Sequence, residues 1–173
     1  MRIAVIRRAG GRWAAGAVAL LVLAADQLSK SLVVATRPGD GHGVAAVTLV
    51  RNTGASFGIG SAHPVAVMIV SIAVIAVVAV LLVRTASRGA ALFLAAVLGG
   101  ALGNLADRLF RSPGLGGGAV IDWIHVWGYP ATFNLADVAI RVGALGAAAA
   151  MLGVPGRVEK WLSARRAGPS EPV

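Results

Sequence analysis

From Pro64 to Val83 the chain runs without one charged side chain. A helix that crosses the hydrocarbon of a bilayer needs roughly 20 consecutive, mostly apolar residues. In lipid every backbone N–H and C=O must find its partner inside the segment, so such a run is helical. Composition agrees. The 173 residues are 57% hydrophobic and 13% charged, with a mean hydropathy of +0.80. A soluble domain carries about 25% charged residues. This balance excludes a soluble globular protein, and it excludes disorder, which goes with few apolar residues. There is no Cys, so a disulfide framework, a thiolate metal site and a Cys nucleophile are excluded as well.

Three further runs are long and apolar. Residues 13–36 are interrupted by Asp26 and Lys30, 90–109 close on Asp107 and Arg108, and 130–154 are interrupted by Asp137 and Arg141. The sequence therefore predicts an all-α membrane protein with four transmembrane helices at about 13–36, 64–83, 90–109 and 130–154. They form one unit over 1–155, followed by a basic, partly disordered tail at 156–173. Net charge is +9, which in a soluble protein would suggest nucleic acid. Here the basic residues sit at the ends and in short loops, so they report membrane topology and no nucleic-acid partner is expected. Arg2, Arg7, Arg8 and Arg12, then Arg84 and Arg88, then Arg157, Lys160, Arg165 and Arg166 all fall on one side if both termini are cytoplasmic. Trp123, Trp127 and Tyr129 then suit the outer interface, and Trp13 and Trp161 the inner one. The basic start also fits a signal peptide, but Asp26 and Lys30 lie inside the run and no clean small-residue cleavage site follows, so the first span is expected to be retained.

Outside the spans, Val44 to Val50 is β-branched and flanked by glycine, and reads as a strand. Ser112 to Gly118 reads as a mobile loop without regular structure, and Ala167 to Val173 as disordered.

An ionisable residue at the centre of a membrane helix costs about 2.5–3.5 kcal/mol on insertion scales and is a functional candidate by default. Asp26 and Lys30 are spaced i, i+4 and can pair, either as a structural ion pair or as part of a substrate site. Asn104, Asp107 and Arg108 cluster at the end of the third span, behind a Gly99–Gly103 pattern that suits close helix packing. Asn134 reads as a helix cap, with an Asp137–Arg141 ion pair beyond it. Asp122 has nothing nearby in sequence to neutralise it. Asn52, followed by Gly54, reads as a turn residue or as a donor to a carbonyl or oxyanion. His42, His63 and His125 lack metal-ligand spacing, so no metal is expected. Ser29 and Lys30 face different helix sides, which disfavours a Ser/Lys dyad.

Three carboxylates thus reach the outer side from separate segments: Asp107, Asp122 and Asp137. Two carboxylates sharing a site cannot both ionise cheaply, so one keeps a proton and the other acts as base on a water. That hydrolyses an amide without metal, cofactor or covalent intermediate. Asp107 adjoins Arg108 and reads as structural, which leaves Asp122 and Asp137 as the preferred pair. The rival is a small proton-coupled transporter with Asp26, Asp107 and Asp137 as its path. Transporters show internal repeats and broken helices near the midplane, whereas here the polar residues gather at one surface.

Five motifs in order carry a resemblance over about residues 13–153. They are Asp26-Gln27-Leu28-Ser29-Lys30; Arg51-Asn52-Thr53-Gly54-Ala55-Ser56-Phe57; Gly99 to Arg108, ending Asn104-Leu105-Ala106-Asp107-Arg108; Val120-Ile121-Asp122-Trp123-Ile124; and Phe133-Asn134-Leu135-Ala136-Asp137. The chain resembles the lipoprotein signal peptidases, the type II signal peptidases of bacteria. The resemblance implies an aspartic endopeptidase of the cytoplasmic membrane, with its site at the outer face. It would remove the signal peptide from diacylglyceryl-modified prolipoproteins by cutting before the lipidated Cys. By motif match the catalytic pair is Asp122 and Asp137. Asp26, Lys30, Asn52, Gly54, Asn104, Asp107, Arg108 and Asn134 are implied as supporting or substrate-binding residues. A small periplasmic β-cradle and a flap or short helix in the outer loops are implied too, with membrane lipids and globomycin-type inhibitors as partners. Arg111 to Gly118 is longer and richer in glycine than is usual in the family, and Ser56 replaces the more usual Ala.

Overall fold

A computed structural model of the chain describes residues 2–36, 45–55 and 58–166. The elements are α1 (Arg2–Thr36), β1 (Ala45–Asn52), α2 (Pro64–Arg84), α3 (Arg88–Phe110), β2 (Val120–Val126), α4 (Leu135–Met151) and α5 (Val154–Arg166). Three helical stretches are long and apolar enough to cross a membrane: Arg12–Thr36, Pro64–Arg84 and Arg88–Phe110.

The fourth predicted span is shorter than the apolar run that suggested it. α4 has 17 residues, a rise of about 25 Å against a hydrocarbon core of about 30 Å. Local chemistry trims both ends. Phe133 is taken into a β-bridge with Ile124, and Asn134 starts the helix through a capping box with Asp137. At the far end Gly153 adopts a φ of 67°, a left-handed conformation that stops a helix. α5 follows at once, so the described part of the basic tail, to Arg166, is helical. Residues 167–173 lie outside the described residues.

α3 is the central helix, and its glycines explain why. Gly99 lies against the Ala19 carbonyl of α1, and Gly100 against Ala136 and Ile140 of α4. A Cβ on Gly100 would stand 2.6 Å from the Ala136 oxygen, so only glycine allows this approach. Val78, Leu94, Val97 and Ala147 form a small buried core joining α2, α3 and α4. α2 is apolar all round yet buries only Val78, and Leu20, Leu21, Leu28 and Leu32 of α1 are exposed. Such unburied apolar faces suit lipid rather than water.

β1 and β2 pair antiparallel, from Ala45 opposite Val126 to Asn52 opposite Val120, with a register shift between Val47 and Val50. The predicted strand is present and runs two residues further, to Asn52, while Val44 lies outside the described residues. β2, Val120–Val126, is a second strand that the sequence reading does not include. Ser112 to Gly118 has no regular structure, as predicted, but it is folded back rather than loose. The Gly116 and Gly118 amides donate to the Arg108 carbonyl at 2.9 and 3.2 Å, and Leu115 donates to Leu109 at 3.0 Å. These amides satisfy carbonyls that the end of α3 leaves without helical partners. A Cβ at Gly118 would sit 2.5 Å from the Asp107 carbonyl oxygen. This return delivers the chain into β2.

Candidate active site

The site is built on a buried ionic layer. Lys30 Nζ lies 2.7 Å from Asp26 Oδ2 and 2.9 Å from Asp107 Oδ2, and all three side chains are fully buried. It also donates to Asn104 Oδ1 at 2.8 Å. Three ammonium protons thus meet three oxygens, which is what a cation held away from water requires. The remaining oxygen of Asp26 accepts from the Ala136 amide at 3.0 Å, one of the N–H groups that the first turn of α4 leaves free. Of the two readings open for Asp26 and Lys30, the structural ion pair is therefore present. Neither residue lines the cavity described below.

Asp107 anchors the next segment. Its Oδ2 accepts from the Ile121 amide at 3.2 Å, immediately before Asp122. Its Oδ1 accepts from Arg111 Nε at 2.6 Å and from Gln27 Nε2 at 3.2 Å. Sequence reasoning missed both donors. The i, i+4 spacing of Asp107 and Arg111 could have revealed one; Gln27 sits on another helix and gave no such signal.

Two asparagines carry the layer outward. Asn104 Nδ2 donates to Asp137 Oδ1 at 3.0 Å, while its Oδ1 accepts from Lys30 and from Asn134. Asn134 Nδ2 donates to Asp122 Oδ1 at 2.6 Å. The Asn134 backbone amide donates to Asp137 Oδ2 at 3.3 Å, and Asn134 Oδ1 accepts from the Asp137 amide at 2.9 Å. One residue therefore contacts both preferred carboxylates. From β1, Asn52 Nδ2 donates to Asp122 Oδ2 at 3.0 Å, and its Oδ1 accepts from the Gly54 amide at 2.9 Å. The turn reading of Asn52 is realised, and its side-chain amide donates here to the Asp122 carboxylate. Arg108 donates to the Gly54 carbonyl at 2.7 Å and to the Asn104 carbonyl at 3.1 Å, tying the β1 loop to α3. A Cβ on Gly54 would stand 2.6 Å from Gly58, so the turn requires glycine. Ser56 and Phe57 lie outside the described residues.

Asp122 and Asp137 line one cavity of about 540 Å³, together with Asn52, Gly54, Asn104 and Arg108. Its opposite wall is apolar and comes from α2, through Val67, Val70 and Val74. Asn134, Asp26, Lys30 and Asp107 stand behind the polar wall. Burial pushes the Asp122 carboxyl up to about 6. Donation from Asn52 opposes this, the nearby Asp137 charge adds to it, and donation from Asn134 opposes it again. Asp122 is thus the carboxyl that keeps a proton up to a mildly acidic pH of about 6.

One expected contact is absent. Asp137 and Arg141 form no ion pair among the described residues; the Arg141 guanidinium instead lies 5.7 Å from the centroid of the Phe133 ring. Asp137 instead takes one bond on each oxygen, from Asn104 and from the Asn134 amide, while Arg141 is drawn to the aromatic face.

The family model described as signal peptidase (SPase) II matches residues 18–153. A lipoprotein signal peptidase of Leifsonia xyli subsp. xyli is 43% identical over 129 residues, covering 71% of this chain and 59% of that protein. One of Streptomyces coelicolor is 44% identical over 137 residues, covering 75% of this chain and 65% of that protein. The chain therefore spans about three-fifths of the length of these relatives. One of Mycobacterium tuberculosis is 36% identical over 134 residues, covering 74% of this chain and 65% of that protein. A solved bacterial membrane enzyme shares the fold with a TM-score of 0.69 at 24% identity, over 80% of this chain and 87% of that one. Three apolar helices and these likenesses mark a multi-pass membrane protein. On the match over residues 18–153, the chain belongs to the signal peptidase II family.

Proposed function

We propose that the protein is an aspartic endopeptidase that removes the signal peptide from diacylglyceryl-modified prolipoproteins, cutting before the lipidated Cys. The observation that carries this reading is the joint hold of Asn134 on Asp122 and Asp137 at the wall of one cavity. In this reading α4 is a short fourth span, the unit runs over 1–155, both termini are cytoplasmic and the cavity meets the outer leaflet. The substrate helix and its acyl chains would lie against the apolar α2 wall, which also keeps bulk water from the carboxylates.

The chemistry needs one protonated and one ionised carboxyl. Asp122, raised to about 6, supplies the proton, and Asp137 acts as base. Asp137 takes a proton from a water whose oxygen bonds to the scissile carbonyl carbon. Asp122 gives its proton to the carbonyl oxygen. When the tetrahedral intermediate collapses, Asp137 passes its proton to the leaving nitrogen and Asp122 recovers its own, so the pair ends as it began. Asn52 and Asn134 orient Asp122; Asn104 and the Asn134 amide orient Asp137. A proton-transport reading is weaker, because Asp26 and Asp107 are locked to Lys30 behind the cavity.

The test is a mobility-shift assay with the purified protein and a diacylated precursor. The expected product is a shorter chain that begins at the lipidated Cys, and its formation is blocked by globomycin. A precursor that stays intact under conditions where the protein is folded would contradict the proposal.

A further inference from the structure

Among the described residues, no carboxylate lies within ion-pair distance of Arg141. This arginine lies seven residues past the Asn134 cap, about 10 Å down the axis of α4, where an unpaired charge is costly and marks function. Among the described residues no carboxylate or carbonyl accepts from its guanidinium; its one contact is the face of Phe133 at 5.7 Å. Side chains on a helix tilt toward its N-terminus. The guanidinium therefore reaches back toward the level of Asp137, which precedes it by one turn, and both residues line the same cavity. Residues four apart on a helix have Cβ atoms about 5–6 Å apart. A ligand group within a few ångströms of the scissile bond would come within reach of these planar, multiple donors.

Two carboxyls and Arg108 also line the cavity, so its charge alone does not choose that group; the acceptors that the proposed substrate carries beside its scissile bond do, and these are neutral ester carbonyls. On the proposed substrate, such carbonyls lie on the diacylglyceryl group of the residue that follows the scissile bond. Resting on that functional reading, we infer that Arg141 is a substrate-binding residue that donates to an ester carbonyl of the lipid on the lipidated Cys. It would thereby seat the scissile bond beside Asp137.

The experiment compares two precursors, one with ester-linked chains and one with the same chains in ether linkage, in vesicles with and without anionic phospholipid. The wild-type protein should show a KM roughly ten-fold lower for the ester form, the scale of one hydrogen bond to a charged donor. Arg141→Gln should raise KM for the ester form by about that factor, with a smaller effect on kcat, and should leave KM for the ether form where it was. Arg141→Lys, which keeps the charge and most of the packing, should restore part of the preference. Equal KM increases for both precursors would overturn the inference. So would an effect present only in anionic vesicles, since Arg141 would then be holding a phospholipid phosphate. Failure of the wild-type protein to cleave either precursor would instead count against the functional reading itself.

Discussion

Asn134 donates to Asp122 at 2.6 Å while its own backbone amide donates to Asp137 at 3.3 Å. The same side chain caps α4 by accepting from the Asp137 amide. A residue that begins a helix thus sets the geometry of two carboxyls that come from different elements. The separation of the pair is consequently tied to the formation of α4.

Lys30 is the cation on which the ionic layer depends. Lys30→Met leaves Asp26 and Asp107 buried without their shared partner, and losing one member of a buried pair costs about 3–5 kcal/mol. The expected result is a large fall in unfolding temperature in detergent micelles. Adding Asp26→Asn and Asp107→Asn to Lys30→Met should recover part of that loss. A variant as stable as wild type would refute the assignment of the layer.

The pH response follows from Asp122. Its folded value of about 6 lies above the ordinary 3.8, so between these values the native protein binds more protons than the unfolded chain. Its contribution to stability is fully present below pH 3.8 and is lost as pH rises through about 6. Cleavage needs the same proton, so kcat/KM should fall on the alkaline side from about pH 6. Asn52 donates to Asp122 and favours its ionised form; Asn52→Ala should therefore move the alkaline limb to higher pH. A shift to lower pH in a pH–rate profile would contradict this cause.

Gly118 closes the turn between α3 and β2, where a Cβ would meet three backbone oxygens, of Asp107, Arg111 and Arg108, at 2.5–2.9 Å. Backbone cannot yield as a flexible side chain does. Gly118→Ala should displace β2 and with it Asp122, lowering cleavage by at least ten-fold, about 1.4 kcal/mol in the barrier, while circular dichroism shows helix content retained. Wild-type cleavage by this variant would show that the turn does not position Asp122.

Much of this was legible in the sequence. Uncharged runs announced α2 and α3, since lipid leaves a chain little choice but helix. The i, i+4 spacing of Asp26 and Lys30 announced their ion pair, and Gly99 with Gly103 announced close packing. What local spacing could not supply was the long-range pairing. Lys30 meets Asp107 and Asn104 only because α1 and α3 touch, and Asp26 caps α4 across 110 positions of sequence. Nor could local spacing show that Asp137 would take its partner from Asn104 on another helix while Arg141 turns to the Phe133 ring. The predicted fourth span outran the 17-residue α4 because apolar composition continues through Phe133, which the bridge to Ile124 takes instead.

The most direct test of the account is the cleavage rate of Asp122→Asn and Asp137→Asn, each measured on a diacylated precursor beside a thermal melt of the same preparation. Removing either member of an acid–base pair should lower the rate by at least 10²-fold, with the melt showing a folded protein. Cleavage at the wild-type rate by either folded variant would contradict the claim that these two carboxyls share the chemistry.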